Sequence, residues 1–405
     1  MNNKRRIYLS AALTLAAGSV SAQDAGGVNA PLFQIGSVEV RPNAAYTFQY
    51  DDNIFLIDNG AALPAGAVQK SDIQHILMPG VTLGAGDYRG QSTQYFSATY
   101  NANINLFQEN SGADSTDHQG SVSFGGGDKL SWRFDQTLVS QSDADVTNLQ
   151  AGGRQKRRAW TSTLSTIYDL SDKTDLESSF GYVLNDFDSA TTFDSQRVQG
   201  NLFVDYEQTA KLHYGLGATF GYDQVDVGAN SVYEQVNTRM VWAATAKFAM
   251  RAGVGIEFRQ FQGINLDRDN FIFDIGADWK VSPLTVASIG AMRAIAPGNA
   301  NPGNGGNSYV NRTGVNATLV HKIGERYTAS LNAGYLGSDT RGTLTTGGTA
   351  EDDYFYIRPG LAARLGDRSS LQLFYQYRQN DNTNAAGGAG DFENNQFGGS
   401  LSYTF

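Results

Sequence analysis

Residues 95–106 set the strongest constraint on this chain. Phe96, Ala98, Tyr100, Ala102, Ile104 and Leu106 alternate with Tyr95, Ser97, Thr99, Asn101, Asn103 and Asn105. Alternation this strict over a dozen residues is the period of an extended strand with one apolar and one polar face. The pattern returns in 211–222, where Leu212, Tyr214, Leu216, Ala218, Phe220 and Tyr222 share a face, and in 247–258, where Phe248, Met250, Ala252, Val254, Ile256 and Phe258 do. Runs of this length are about twice an ordinary globular strand. The connectors also alternate: short ones such as Ser171-Asp172-Lys173-Thr174 and Gly366-Asp367-Arg368 separate long polar ones such as 51–70, 141–153 and 337–352. A closed up-and-down barrel has its short turns at one rim and its long loops at the other, whereas a soluble sandwich has no reason to segregate them.

The expected fold is therefore all-β, a closed antiparallel up-and-down transmembrane β-barrel with short periplasmic turns and longer extracellular loops. Eighteen strands are expected, starting near 38, 71, 92, 117, 130, 156, 175, 195, 211, 233, 247, 269, 284, 309, 326, 353, 369 and 393. Sixteen is the alternative, because the runs near 71 and 117 are the weakest. Aromatics recur at the ends of the apolar stripes, among them Tyr46, Tyr50, Trp132, Trp160, Tyr168, Tyr206, Trp242, Phe261, Trp279, Tyr327 and Tyr335. Rings in that position are what membrane–water interfaces select. The chain closes on Phe397, Leu401, Tyr403 and a terminal Phe405, the pattern of the assembly signal of bacterial outer-membrane barrels.

Composition agrees once the alternation is known. A mean hydropathy of −0.35 excludes a bundle of membrane helices but not a barrel whose polar and lipid-facing positions cancel. With no Cys and four scattered His, neither a disulfide framework nor a His-based metal centre is expected, and a net charge of −10 argues against nucleic acid. Lys4, Arg5 and Arg6, the apolar run 7–17 and Val20-Ser21-Ala22 read as a secretory signal peptide over residues 1–22, cleaved after Ala22. Residues 23–37 are expected to be a periplasmic lead-in and 38–405 a single barrel.

One resemblance adds to this. The stretch Val40-Arg41-Pro42, Tyr50-Asp51-Asp52-Asn53-Ile54-Phe55, Ser71-Asp72-Ile73 and Met78-Pro79-Gly80-Val81 resembles the β-barrel porin 2 family, whose members often sit in exopolysaccharide or capsule biosynthesis operons. The resemblance covers about the first 85 residues and implies a large outer-membrane barrel involved in export of an exopolysaccharide. It brings no catalytic motif, so no site residue is inherited from it.

If the apolar parity faces lipid, the other parity lines the lumen. Arg41, Arg133, Arg197, Arg239, Arg251, Arg259, Arg293, Arg312, Arg358, Arg364 and Arg378 fall on it, with Asp135, Glu177, Asp205, Glu257, Asp274 and Asp278. Eleven arginines against six carboxylates favour anions in a low-dielectric bore, whereas internal Arg–carboxylate ladders that merely satisfy one another are the alternative. Further acids, including Asp51, Asp52, Asp267, Asp269, Asp352, Asp353 and Asp381, are expected in the long loops as a solvated acidic rim that divalent cations could bridge to lipopolysaccharide phosphates. Neither Asp51-Asp52-Asn53 nor Asp267-Arg268-Asp269-Asn270 has calcium-loop spacing. No catalytic, cofactor or metal residue is expected.

The leading functional expectation is an outer-membrane channel exporting an acidic exopolysaccharide, with a periplasmic export lipoprotein as a partner. A general or anion-selective diffusion porin is the alternative, and a structural or adhesive barrel the third reading. Expected partners are outer-membrane lipid, lipopolysaccharide, and a polysaccharide or anionic solute in the lumen. An enzyme is disfavoured because no Ser-His or Asp-His pair falls within one hairpin.

Overall fold

The computed structural model describes residues 33–91, 94–142, 154–188, 192–263, 267–298, 307–342, 349–383 and 390–405. Its strands are β1 (Phe33–Ile35), β2 (Val38–Asp51), β3 (Asp72–Gly86), β4 (Tyr95–Phe107), β5 (Ser115–Gly127), β6 (Leu130–Gln141), β7 (Arg157–Ser171), β8 (Thr174–Phe187), β9 (Ser195–Thr209), β10 (Leu212–Val225), β11 (Ser231–Trp242), β12 (Phe248–Phe261), β13 (Asp267–Ser282), β14 (Thr285–Ala296), β15 (Asn307–Ile323), β16 (Tyr327–Gly342), β17 (Thr349–Arg364), β18 (Ser369–Asn382) and β19 (Phe392–Thr404). Each of β2 to β18 pairs antiparallel with the next strand, and β19 pairs back onto β2 from Gln396↔Asp51 to Thr404↔Asn43. The result is a closed eighteen-stranded barrel. The two weakest expected strands are both real, as β3 and β5. The largest error in a strand start is at β17, which begins four residues before the expected 353.

Closure removes every edge but one. Strand β2 starts five residues before its ladder with β19 begins, which leaves Val38–Val40 exposed as an edge. The chain turns at Gly36, in the left-handed region at φ 62°, and lays β1 along that edge as Phe33↔Val40 and Ile35↔Val38. The expected leader (1–22) and most of the lead-in (23–37) lie outside the described residues.

The strands are 12 to 17 residues long apart from β1, against the roughly 9–11 a tilted strand needs to cross a bilayer. At about 4.8 Å spacing and about 40° tilt, eighteen strands enclose a wall about 35 Å across. The outward parity carries an apolar belt in which Leu216, Phe220, Phe180, Ile289 and Phe397 are each more than half exposed. A belt this continuous is stable only against lipid. The eight connections at one rim (87–94, 128–129, 172–173, 210–211, 243–247, 283–284, 324–326 and 365–368) define a turn rim, where both ends of the barrel also lie. The other connections form a loop rim; the one after β4 includes a single 3-10 turn, Ser111–Ala113.

Two expected orientations are corrected. Phe261 is not an interfacial ring. It continues the inward parity of Glu257 and Arg259, is 5% exposed, and stacks on Tyr309 at 5.3 Å. Arg293 does not line the lumen. It stands opposite Phe273 on one side and Thr313 on the other, and cross-strand partners share a face. On β14 the outward set is Ala287, Ile289 and Ala291, so the odd-numbered Arg293 belongs with it.

Candidate functional site: the lumen

The inward face of the turn half is a polar wall with charges held flat against it. Arg133 chelates Asp135 two residues along its own strand, at 2.5 and 2.8 Å, and donates to Gln91 at 2.7 Å. Arg239 bridges Glu177 on β8 (2.5 Å) and Asp205 on β9, with its guanidinium 4.2 Å over the Phe203 ring. Arg251 faces Asp274 at 3.6 Å and Arg41 faces Glu39 at 3.3 Å. Asp278 accepts a hydrogen bond from Ser288 at 2.6 Å. Inward glycines make this flatness sterically possible. A Cβ at Gly215 would strike Asp205 and Arg239, one at Gly276 would strike Arg251, and one at Gly334 would strike Tyr356. Between the ion pairs lie hydroxyls and amides, such as Thr82 with Thr99 and Thr318 with Asn332, and further up the wall Thr219 with Asn201 and Gln49 with Gln74.

The loop half holds a buried charge network. Asp223, 2% exposed, accepts two hydrogen bonds from Arg197 (2.6 and 2.8 Å) and one from Arg259 (2.6 Å). Arg259, 1% exposed, also donates to Glu257 (2.7 Å) and Ser231 (2.8 Å). Both guanidiniums lie over the Tyr233 ring, at 5.3 and 4.5 Å. Arg197 then reaches the backbone carbonyl of Ile295 at 3.2 Å. Strands β9 and β14 are five positions apart in the wall, so the loop-rim ends of β14 and β15 lean into the bore. Ile295 and Tyr309 pack there against Phe261 and Ile272.

A second segment enters from the β2–β3 loop. Asp51 accepts from the Asn53 amide (2.8 Å), Asn394 (2.5 Å) and Gln396 (2.6 Å), and Asn53 in turn holds the Ile57 and Glu393 carbonyls. This anchor turns the chain inward. Ile54 and Phe55 pack on Phe107 of β4, while Leu56 packs on Leu336, Tyr354 and Phe392 with Met292 alongside. Leu56 adopts a φ of 47°, which is costly for a residue with a Cβ. The loop therefore forms an apolar bridge over the wall from β4 round through β2 to β14. Together the two inward segments narrow the loop half.

Of the expected lining residues, Arg41, Arg133, Arg239, Arg251, Glu177, Asp205, Asp274, Asp135, Arg197, Arg259 and Glu257 are drawn into ion pairs on the inward parity. Arg378 donates to Asn394 at 2.9 Å, Arg358 lies 4.4 Å over Phe374, Arg312 stands opposite Ser338, and Arg364 opposite Ser370 at the turn rim. Asp223, Glu39 and Tyr233 were not expected here. Asp51 and Asp352, expected in a solvated rim, are buried on the inward parity. The parity of Asp223 was available from its outward neighbour Tyr222, but its place at a strand end made it look like loop. Three histidines serve hydroxyls on the outward face: His75 with Tyr46 (2.7 Å), His118 with Tyr100 (2.8 Å) and His321 with Thr285 (2.9 Å).

No family model and no curated protein sequence matches the chain. Similar solved structures include the outer membrane channel DcaP of Acinetobacter baumannii (TM-score 0.47, 13% identity, 93% of this chain and 100% of that one). Acinetobacter baumannii OccAB4 (TM-score 0.47, 12% identity, 91% and 98%) and Pseudomonas aeruginosa OccK3, also called OpdO (TM-score 0.46, 12% identity, 90% and 95%), are others.

Proposed function

We propose that the protein is an outer-membrane diffusion channel for small polar solutes, with its turn rim in the periplasm. The observation that carries this reading is the narrowing of the loop half by Leu56, Ile295 and Tyr309 above a wide polar turn half. A bore of this form sorts by size, and the amides and hydroxyls along it can exchange hydrogen bonds with a passing solute in place of water. Most inward arginines are matched by carboxylates, which supports weak charge selection in the body of the lumen over a strict anion filter. Export of an exopolysaccharide, implied by the resemblance of the first 85 residues, is the less favoured reading because a hydrated polymer needs a wider exit. The outer-membrane location rests on the apolar belt and its aromatic borders.

The test is reconstitution. In planar bilayers the protein is expected to give stable open conductance. Proteoliposomes are expected to swell in monosaccharides, with the rate falling steeply for larger saccharides. Absence of both conductance and swelling would overturn the channel reading. A deletion strain that loses secreted polymer but keeps small-solute uptake would favour polymer export instead.

A further inference from the structure

The turn rim carries an arrangement of charge that the channel reading does not require. Lysine is concentrated there: Lys129, Lys173, Lys211, Lys247, Lys280 and Lys322 lie in or beside the turns, against two lysines, Lys70 and Lys156, at the loop rim. The ladder shows where they stand. From β6 to β18 the residue just before each ascending strand offers its carbonyl to the end of the following strand: Lys129 to Asp169, Lys173 to Glu207, Lys211 to Ala243, Lys247 to Lys280, Leu284 to Lys322, Arg326 to Arg364 and Arg368 to Thr404; β2 and β4 are preceded by the uncharged Ser37 and Gln94. Six of these seven equivalent positions are basic.

Around one side the basic residues face acids, as with Lys129 opposite Asp169 and Lys173 opposite Glu207. Around the other side, from β12 to β18, they face each other. Lys247 stands opposite Lys280 and Arg326 opposite Arg364, with Lys322 between the two pairs and Arg368 beyond them. All six share the inward register, all are exposed, and none makes an ion pair among the described residues. Like charges directly opposite on a sheet destabilise it, with Cβ atoms only about 5 Å apart. The two pairs stand three strand steps apart, from β13 to β16. The exposed acids of the same turns, Glu325 and Asp367, form no ion pair with them among the described residues. The stability of the sheet gives no reason to repeat such a pair. The loop rim has the opposite character, with Asp58, Glu109, Asp188, Asp226, Asp267 and Asp381 all exposed.

We propose that the arc Lys247, Lys280, Lys322, Arg326, Arg364 and Arg368 is a docking site for a soluble, multiply charged anion that approaches the channel mouth from the turn side. Cross-strand cation pairs repeated along about 38 Å of rim (six strand steps at about 4.8 Å and about 40° tilt) fit a chain of carboxylate, sulfate or phosphate groups better than a single small anion. The acidic loop rim repels the same ligand, so the channel is electrically sided. The inference rests on the lumen being a conduit, and it adds a class of ligand that docks at the mouth without passing it and the side from which that ligand approaches.

The experiment uses the full protein inserted with one orientation in a zwitterionic planar bilayer, with dextran sulfate as probe and neutral dextran as control. Dextran sulfate is expected to block the open current from the turn side only, and the block is expected to vanish at 1 M salt, where the Debye length is about 3 Å. In the variant K247Q/K280Q/R326Q, which breaks both cation pairs and leaves the lumen-lining Arg364 in place, the open conductance is expected to stay within twofold. Half-block is expected to need at least about 30-fold more probe, because each basic residue near a polyanionic surface contributes about fivefold. Equal block from both sides, no block, or block unchanged in the variant would each overturn the proposal. If the variant blocks normally and differs only in folding into bilayers containing anionic phospholipid, the arc is a lipid-headgroup anchor and the proposal fails. Fluorescent dextran sulfate is also titrated onto protein in non-ionic detergent. Variant-sensitive binding without any conductance would sink the channel reading while leaving the docking site standing.

Discussion

Replacing Asp223 by Asn tests whether the buried network holds the narrowed lumen together. The carboxylate is 2% exposed and accepts three charge-assisted hydrogen bonds, two from Arg197 and one from Arg259. Asn keeps the shape, removes the charge, and turns an amide donor toward a guanidinium. Arg259 retains Glu257 and Ser231, but its Nη2 already has no partner among the described residues, so it has no spare acceptor to fall back on. Arg197 retains only the Ile295 carbonyl. Breaking a buried pair by removing one partner costs about 3–5 kcal/mol, and losing hydrogen bonds of about 1.5–3 kcal/mol each to charged groups points to the same range. A loss of about 4 kcal/mol is expected.

The control is Asp186→Asn. That carboxylate meets Arg158 at 3.4 Å with side chains 43% and 65% exposed, where an ion pair contributes about 0–1 kcal/mol. Urea unfolding midpoints in lipid vesicles should separate the two variants clearly. Single-channel recording should show higher and noisier conductance for Asp223→Asn, because Arg197 ties the inward-leaning end of β14 to β9, five strands away round the wall. The triple replacement Arg197→Met, Asp223→Leu, Arg259→Leu should recover much of the stability, since an apolar substitute for a buried ion network is often neutral. If Asp223→Asn and Asp186→Asn unfold within about 1 kcal/mol of each other, the network is not what braces this side of the barrel.

Leu56→Gly should release the inward loop: the lost side chain costs about 3 kcal/mol, relief of the positive φ returns about 1 kcal/mol, and conductance should rise with flickering. Gly221→Ala places a Cβ in the Tyr233 ring, so it should destabilise by about 1–3 kcal/mol through overpacking, measured by the same unfolding midpoint. Arg293→Cys should react with a lipophilic maleimide and resist a membrane-impermeant one added to the lumen, and the reverse result would put it back on the inward face. At the turn rim, burial and the hydrogen bond to Glu39 push the Tyr88 phenol up to about 12. Its neutral form is thus favoured on folding, and the stability this brings is complete below about pH 10 and lost as pH rises toward 12. Ultraviolet titration should lose one late-ionising tyrosine in Tyr88→Phe.

Period-two alternation was enough to place the wall because lipid imposes it on every strand independently. Lipid favours apolar residues at most outward positions whatever their neighbours are, so β3 and β5 are recoverable even though Gln74 and Asp117 face in and two outward positions are His75 and His118. The inward loop was not recoverable in this way. Nothing in Ile54-Phe55-Leu56 distinguishes a segment that folds into the bore from one that covers a rim. The decision lies with Asp51, Asn53, Asn394 and Gln396, which meet across more than 340 residues of sequence. Phe261 shows a related failure: an aromatic at a strand end suggests an interface, and only strict parity counting from Ile256 and Phe258 reveals that it faces inward.

Charge shows most clearly what counting can and cannot decide. Eleven arginines against six acids on the lumen parity suggested an anion-attracting bore. The count left out Asp223, Glu39, Asp51 and Asp352, which sit at strand ends, and it included Arg293, which faces out. It also treated each charge as free. Arg239 finds its acids 34 and 62 residues earlier in the chain, and Arg197 finds Asp223 26 residues later, so the field that reaches a solute in the body of the lumen is that of close pairs and decays quickly. At the turn rim from β12 to β18 the situation reverses. There the cations face cations across the ladder, no ion pair forms among the described residues, and summed charge becomes a fair guide to the field. If this protein discriminates between anions and other solutes, it does so at that mouth and not along the arginine-bearing wall that first suggested it.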